Sequence, residues 1–168
     1  MTIFNAMIRD DNAHHDSILA NGYTGCDVLV MSQCEIREYK PGEDEVCISI
    51  GSQTWGVDAP RLSKKFKQVL ALEFDDTAVG DAGNPGAKTI SDEDALKAVK
   101  FFQNHLNESK KIVIHCYAGM SRSRSMAGTL CLCFQSPFEY TILNDSVKFQ
   151  ILKAYKQMRK EELECLSR

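Results

Sequence analysis

Hydrophobic residues in this chain gather in short runs that stop at polar or turn-forming positions. Asp27 to Ser32, DVLVMS, reads as a buried strand. Glu45 to Ser52, EVCISIGS, reads as another, with the turn-prone KPGED before it. RLSKKFKQ begins as a polar helix or loop and turns strand-like at Val69 to Phe74, where Leu70, Leu72 and Phe74 alternate. A fourth strand is expected at Ile112 to His115. Elsewhere the period lengthens to that of a helix. Ser91 stands at an N-cap with Asp94 at the capping-box position, and Ala95, Val99, Phe102 and Leu106 then share one face. SRSMAGTLCLCF predicts a largely buried helix that SPFEY breaks. A last amphipathic helix is expected near Val147 to Met158, with Val147, Ile151, Tyr155 and Met158 aligned. Strands alternating with helices predict an α/β fold: three layers, with a mainly parallel twisted sheet of about four to five strands flanked by helices. In such sheets ligands bind at the carboxyl ends of the strands.

The length of 168 residues suits one domain, 1–168, with a real core. The net charge of −3 argues against a general nucleic-acid binder. No apolar run is long enough to span a bilayer. The opening MTIFNAMIRDDNAHHDS carries acids and histidines where a signal peptide needs an apolar stretch, so a cytoplasmic protein is expected, with no membrane partner. His14 and His15 read as exposed polar residues near a flexible end. The cysteine count is odd, at seven, with no C-x-x-C pair, which speaks against a disulfide framework or a zinc cluster. Most of these cysteines, Cys131 and Cys133 among them, read as small core residues.

One cysteine differs. In VIHCYAGMSRSRS, Val113 to Ser125, an apolar strand runs into Cys116, then a loop with Gly119 at its middle, then Arg122 at a helix start. A loop of that length can curl its backbone N–H groups inward as an anion nest, and the helix adds its positive end. Gly119 permits a backbone angle that most residues resist. Arg122 brings a planar fork suited to two phosphate oxygens. The same groups favour negative charge on the Cys116 sulfur and so populate the nucleophilic thiolate.

HCYAGMSRS matches the signature His-Cys-x-x-Gly-x-x-Arg-Ser/Thr, and in this the chain resembles the cysteine-dependent protein tyrosine phosphatases, in particular their compact dual-specificity members. The strong match covers the nine residues His115 to Ser123. The strand–loop–helix context extends it to roughly Val69 to Phe134, and the N-terminal third carries only a generic α/β pattern. The resemblance implies a tyrosine-phosphatase-like fold and a phosphomonoesterase that works through a cysteinyl-phosphate, either a tyrosine phosphatase or a dual-specificity one that also takes phosphoserine or phosphothreonine, in proteins or peptides. It implies that Cys116 attacks phosphorus, that Arg122 holds the phosphoryl oxygens together with the backbone of Tyr117, Ala118, Gly119, Met120 and Ser121, that His115 orients the loop, and that Ser123 assists release of the sulfur. It implies no cofactor and no metal, since amides and an arginine supply the electrostatic stabilisation.

The family's general acid is an aspartate on a loop some 30 to 40 residues upstream. DDTAVGDAGNPGAKT lies at that distance and offers Asp75, Asp76 and Asp81. Asp76 continues the parity of Leu70, Leu72 and Phe74 and is preferred, ahead of Asp75, with Asp81 third. Trp55, the single tryptophan, is remote from these acids, so the Trp-Pro-Asp loop of the larger tyrosine-specific enzymes is absent. Tyr117 and Met120 stand where lipid phosphatases of the superfamily often carry lysine, which disfavours a phosphoinositide. Arg124 is expected in a surface ion pair or helix contact, SKKFK (Ser63 to Lys67) on a solvated face, and Ser121 to contribute mainly its backbone. Two other functions stay open: a catalytically silent phosphate-binding module, and an RNA 5′-phosphatase, which the acidic balance makes the weaker.

Overall fold

A computed structural model of the chain describes residues 3–52, 62, 65–77 and 86–167, residues 3–9 by their backbone alone. In order the elements are α1 (Ile3–Ala20), β1 (Asp27–Ser32), α2 (Gln33–Glu38), β2 (Glu45–Gly51), β3 (Gln68–Glu73), α3 (Asp92–Leu106), β4 (Lys111–Cys116), α4 (Arg122–Cys133) and α5 (Asp145–Leu166). The four strands form one sheet in the order β1-β4-β2-β3, every pair parallel. The fold is α/β, with helices on both faces of the sheet.

Side-chain alternation makes the three layers. On β4, Ile112, Ile114 and Cys116 turn to one face and Val113 to the other. On β2, Val46, Ile48 and Ile50 oppose Cys47 in the same way. The larger core joins the first face to α3, α4 and α5 through Val99, Phe102, Met126, Leu130 and Ile151. The smaller one packs Ile36 of α2 with Leu62 and Phe66 against Cys47 and Val113. Burial on both faces is why these strands read as continuous apolar runs rather than as clean alternation.

Several boundaries follow local chemistry. Ser32 ends β1 and caps α2: its side chain accepts from the Glu35 N–H while the Glu35 carboxylate accepts from the Ser32 N–H, a full capping box. Ser91 caps α3 through the Asp94 N–H at 3.0 Å, without the reciprocal bond. Asn144 caps α5, its Oδ1 accepting from the Val147 N–H at 3.0 Å. The last helix therefore begins earlier than its apolar stripe, and it runs on to Leu166.

Two expectations need correction, and one element was not foreseen. The first residues form α1 rather than a flexible end, and His15 is buried, with Nε2 2.7 Å from Asp27 Oδ1. His14 is exposed. In its described part His15 and Asp11 bond to Asp27, Arg124 and Thr141, and Ile18 packs against the larger core. Six residues after β1 form α2. Within SKKFK, Phe66 is buried in the smaller core, while Lys65 and Lys67 stay at the surface. Trp55, Ser63, Lys64 and Asp81 lie outside the described residues.

Candidate active site

Strand β4 ends at Cys116, in register with Ser32 at the end of β1, and α4 begins only at Arg122. Between them the chain must turn tightly over the strand ends. Gly119 makes the turn at φ +69°, and a Cβ there would lie 2.7 Å from the Ser32 nitrogen and 2.9 Å from the Met31 carbonyl carbon. Both the angle and the space demand glycine. The Gln33 N–H donates to the Tyr117 carbonyl at 2.9 Å, fastening the loop to the start of α2. Tyr117 and Ala118 face solvent, Met120 and Ser121 are half-buried, and Gly119 is buried.

The Cys116 sulfur lies under this loop, 2% exposed, with the Ser123 hydroxyl 3.1 Å away. Ser123 is fully buried in the first turn of α4. Arg122 is buried too. Its Nη1 donates to the carbonyls of Gly51 at 3.0 Å and Phe74 at 2.8 Å, the ends of β2 and β3, and its Nε is buried with no partner among the described residues. The guanidinium is thus anchored through Nη1, with its Nε donor left over among the described residues. His115 turns to the opposite face of β4, its Nε2 2.8 Å from Ser49 Oγ on β2. Burial pushes its pKa down to about 4 against the pull of the Cys116 backbone, and the positive Arg122 pushes the same way. The imidazole is therefore neutral at neutral pH, suited to holding strand and loop rather than to taking up a proton.

The two leading aspartates divide sharply. Asp75 is buried and accepts from Ser52 Oγ and from the Lys88 N–H at 2.7 Å, while its own N–H donates to the Lys88 carbonyl at 2.7 Å. It closes the base of the long loop. Asp76 is exposed, and its Oδ1 accepts from Ser121 Oγ at 2.6 Å and Asn144 Nδ2 at 2.8 Å. The parity of β3 thus carries Asp76, not Asp75, to the Cys116 loop. The expectation that Ser121 serves mainly through its backbone is corrected by its side-chain bond to this carboxylate.

Asn144 was missed, because nothing near it in sequence marks it beyond its helix cap. Its N–H donates to Ser125 Oγ at 2.7 Å, so the start of α5 is lashed to α4. Arg124 makes an ion pair, but a buried one. Its Nη1 lies 2.6 Å from Asp11 Oδ2 on α1, and its Nε donates to the Gly119 carbonyl at 3.1 Å.

The described residues thus join a buried thiol, a hydroxyl on that thiol, a buried guanidinium, a loop of backbone amides and an exposed carboxylate at one corner of the sheet. No family model matches the chain, and no curated protein or solved structure matches it.

Proposed function

We propose that the protein is a phosphomonoester hydrolase of the cysteine-dependent protein tyrosine phosphatase kind, acting on phosphotyrosine or with dual specificity, and working in the cytoplasm. The observation that carries this reading is the Arg122 guanidinium, buried beside the Cys116 loop with Nη1 fixed on two carbonyls and Nε without a partner among the described residues. A buried cation without a carboxylate is costly unless an anion completes it.

In this reading the Cys116 thiolate attacks phosphorus. An S–P bond forms as the ester P–O bond breaks, and Asp76 gives its proton to the departing oxygen. Arg122 and the amides of the 117–122 loop hold the phosphoryl oxygens as charge redistributes. Water then attacks phosphorus, Asp76 takes its proton, the S–P bond breaks, and the Ser123 hydroxyl donates to the returning thiolate. His115, neutral and bound to Ser49, keeps the strand end in place.

A small aryl phosphate and a panel of phosphotyrosine, phosphoserine and phosphothreonine peptides test the reading. Turnover is expected with the wild type and its loss with Cys116→Ser. Asp76→Asn should slow poor leaving groups far more than good ones. Unchanged hydrolysis in Cys116→Ser would overturn the mechanism. Phosphopeptide binding without any turnover would favour a silent binding module, and selective attack on triphosphorylated RNA would favour the RNA phosphatase.

A further inference from the structure

Alternate carbonyls of the loop are each held by a donor. Tyr117 O accepts from the Gln33 N–H at 2.9 Å, Gly119 O from Arg124 Nε at 3.1 Å, and Ser121 O from the Ser125 N–H at 2.9 Å. A trans peptide is planar, and its C=O and N–H point opposite ways. Fixing the carbonyls of residues 117, 119 and 121 therefore fixes the N–H groups of 118, 120 and 122.

Two of these three tethers are backbone bonds, which any sequence with this fold can supply. The middle one is a side chain. Arg124 reaches Gly119 O only because its other end is held: Nη1 on Asp11 Oδ2 at 2.6 Å, and the guanidinium carbon 5.9 Å from the centre of the Tyr140 ring. Asp11 is fixed in turn by the Thr141 N–H at 3.0 Å and the Thr141 hydroxyl at 2.9 Å. A chain of contacts thus runs from α1 through Asp11 and Arg124 to the peptide that follows Gly119.

We propose that Arg124 and Asp11 are positioning residues for the phosphate site: Arg124 holds the Gly119 carbonyl so that the Met120 N–H is aimed into the loop, and Asp11 makes that alignment depend on α1. This rests on the phosphatase reading for its role in turnover, but not for its effect on anion binding. Gly119 is the residue least able to hold its own peptide plane, having no side chain to restrict it. A tether there has the most freedom to remove.

The discriminating variant is Arg124→Lys. A lysine can still pair with Asp11, but a single ammonium lacks the fork that reaches Asp11 and Gly119 O together. Inorganic phosphate is titrated into Cys116→Ser protein with and without Arg124→Lys, following the Met120 amide by ¹⁵N NMR, alongside turnover of an aryl phosphate by the variants with Cys116 intact. The expected result is phosphate affinity weaker by roughly tenfold, a displaced Met120 amide signal, and a fall in kcat of similar size, with the far-ultraviolet spectrum unchanged. Asp11→Asn, which keeps its bonds to Thr141 but offers Arg124 no charge, should weaken phosphate by about threefold. Asp10→Asn, one position away and exposed, should do nothing.

Should Arg124→Lys lower stability, phosphate is titrated at a temperature where the protein is folded, and the affinity still decides. Affinity within about twofold of the parent, or an unmoved Met120 signal, overturns the proposal. Weakened phosphate binding in a protein that shows no turnover sustains the tether and removes the enzyme. Failure of the Cys116→Ser parent to bind phosphate removes both.

Discussion

Both ends of the sheet bury a paired cation, Arg124 with Asp11 at the carboxyl end included, but one carboxyl-end charge, Arg122, is held differently. At the amino end, His15 meets Asp27 at 2.7 Å, and Lys111 lies 3.4 Å from the other Asp27 oxygen and 4.0 Å from Glu45. Lys111 also donates to the Tyr39 hydroxyl at 3.2 Å, which donates to Glu45 at 2.7 Å. Each charged group there has an opposite neighbour, and the network closes on itself. At the carboxyl end, Arg122 meets two carbonyls and no carboxylate among the described residues, with Nε left over. A closed network holds a fold together, whereas a buried cation with a donor left over can still be completed by an opposite charge. The difference identifies the carboxyl end as the candidate site on electrostatic grounds, independently of any motif.

The strongest way to break this contrast is to remove one charge from each end. Arg122→Met should lower kcat/KM for an aryl phosphate by roughly a thousandfold, yet change stability by less than about 1 kcal/mol, because loss of two carbonyl bonds is offset by removal of an uncompensated buried cation. Asp27→Asn should do the reverse. It takes from His15 its buried carboxylate and leaves Lys111 only Glu45 and the Tyr39 hydroxyl, and should cost about 3 kcal/mol, while kcat/KM stays within about threefold. Urea unfolding and steady-state kinetics on the two purified variants separate the outcomes. Equal stability losses at the two ends would erase the distinction.

Next in size is the turn itself. Gly119→Ala would force a side chain into the left-handed region and bring its Cβ to 2.7 Å from the Ser32 nitrogen, a backbone atom that cannot swing away. The strain should cost about 1–3 kcal/mol, and displacing the amides should lower turnover by on the order of a hundredfold. A loss of stability without any loss of rate would show that the loop's amides do not touch the reacting group.

The strands, and the nearness of Cys116, Arg122, Ser123 and Asp76, were legible because each rests on a local regularity: short apolar runs, a fixed spacing, or strand parity continued past its end. What escaped notice is non-local. In helix α1, His15 and Asp11 reach partners far along the chain, at Asp27 and at Arg124 and Thr141. Arg124 could be expected in an ion pair, but its burial and its hold on Gly119 depend on an acid 113 positions away. Ser121 and Asn144 meet on the Asp76 carboxylate, a convergence of three segments that no single window of sequence contains. Polar contacts between distant segments obey no periodicity, so only the assembled fold displays them.

The finest version of the comparison is carried by two buried histidines, one for each end. The hydrogen bond to Asp27 raises the pKa of His15, outweighing the effect of its burial. A raised histidine stabilises the fold fully below its unfolded value of about 6.5, and the contribution is lost as pH rises through the folded value. His115 has the opposite sign. Burial takes it to about 4, so its contribution is complete above about 6.5 and is lost as pH falls toward 4. Between about pH 8 and pH 5 that loss amounts to about 2 kcal/mol. His15→Gln should therefore be most damaging in mild acid and His115→Gln most damaging above neutrality, as read by urea unfolding at the two pH values. If both penalties moved the same way with pH, the His15 end and the His115 end would not differ in the protonation state of their buried imidazoles.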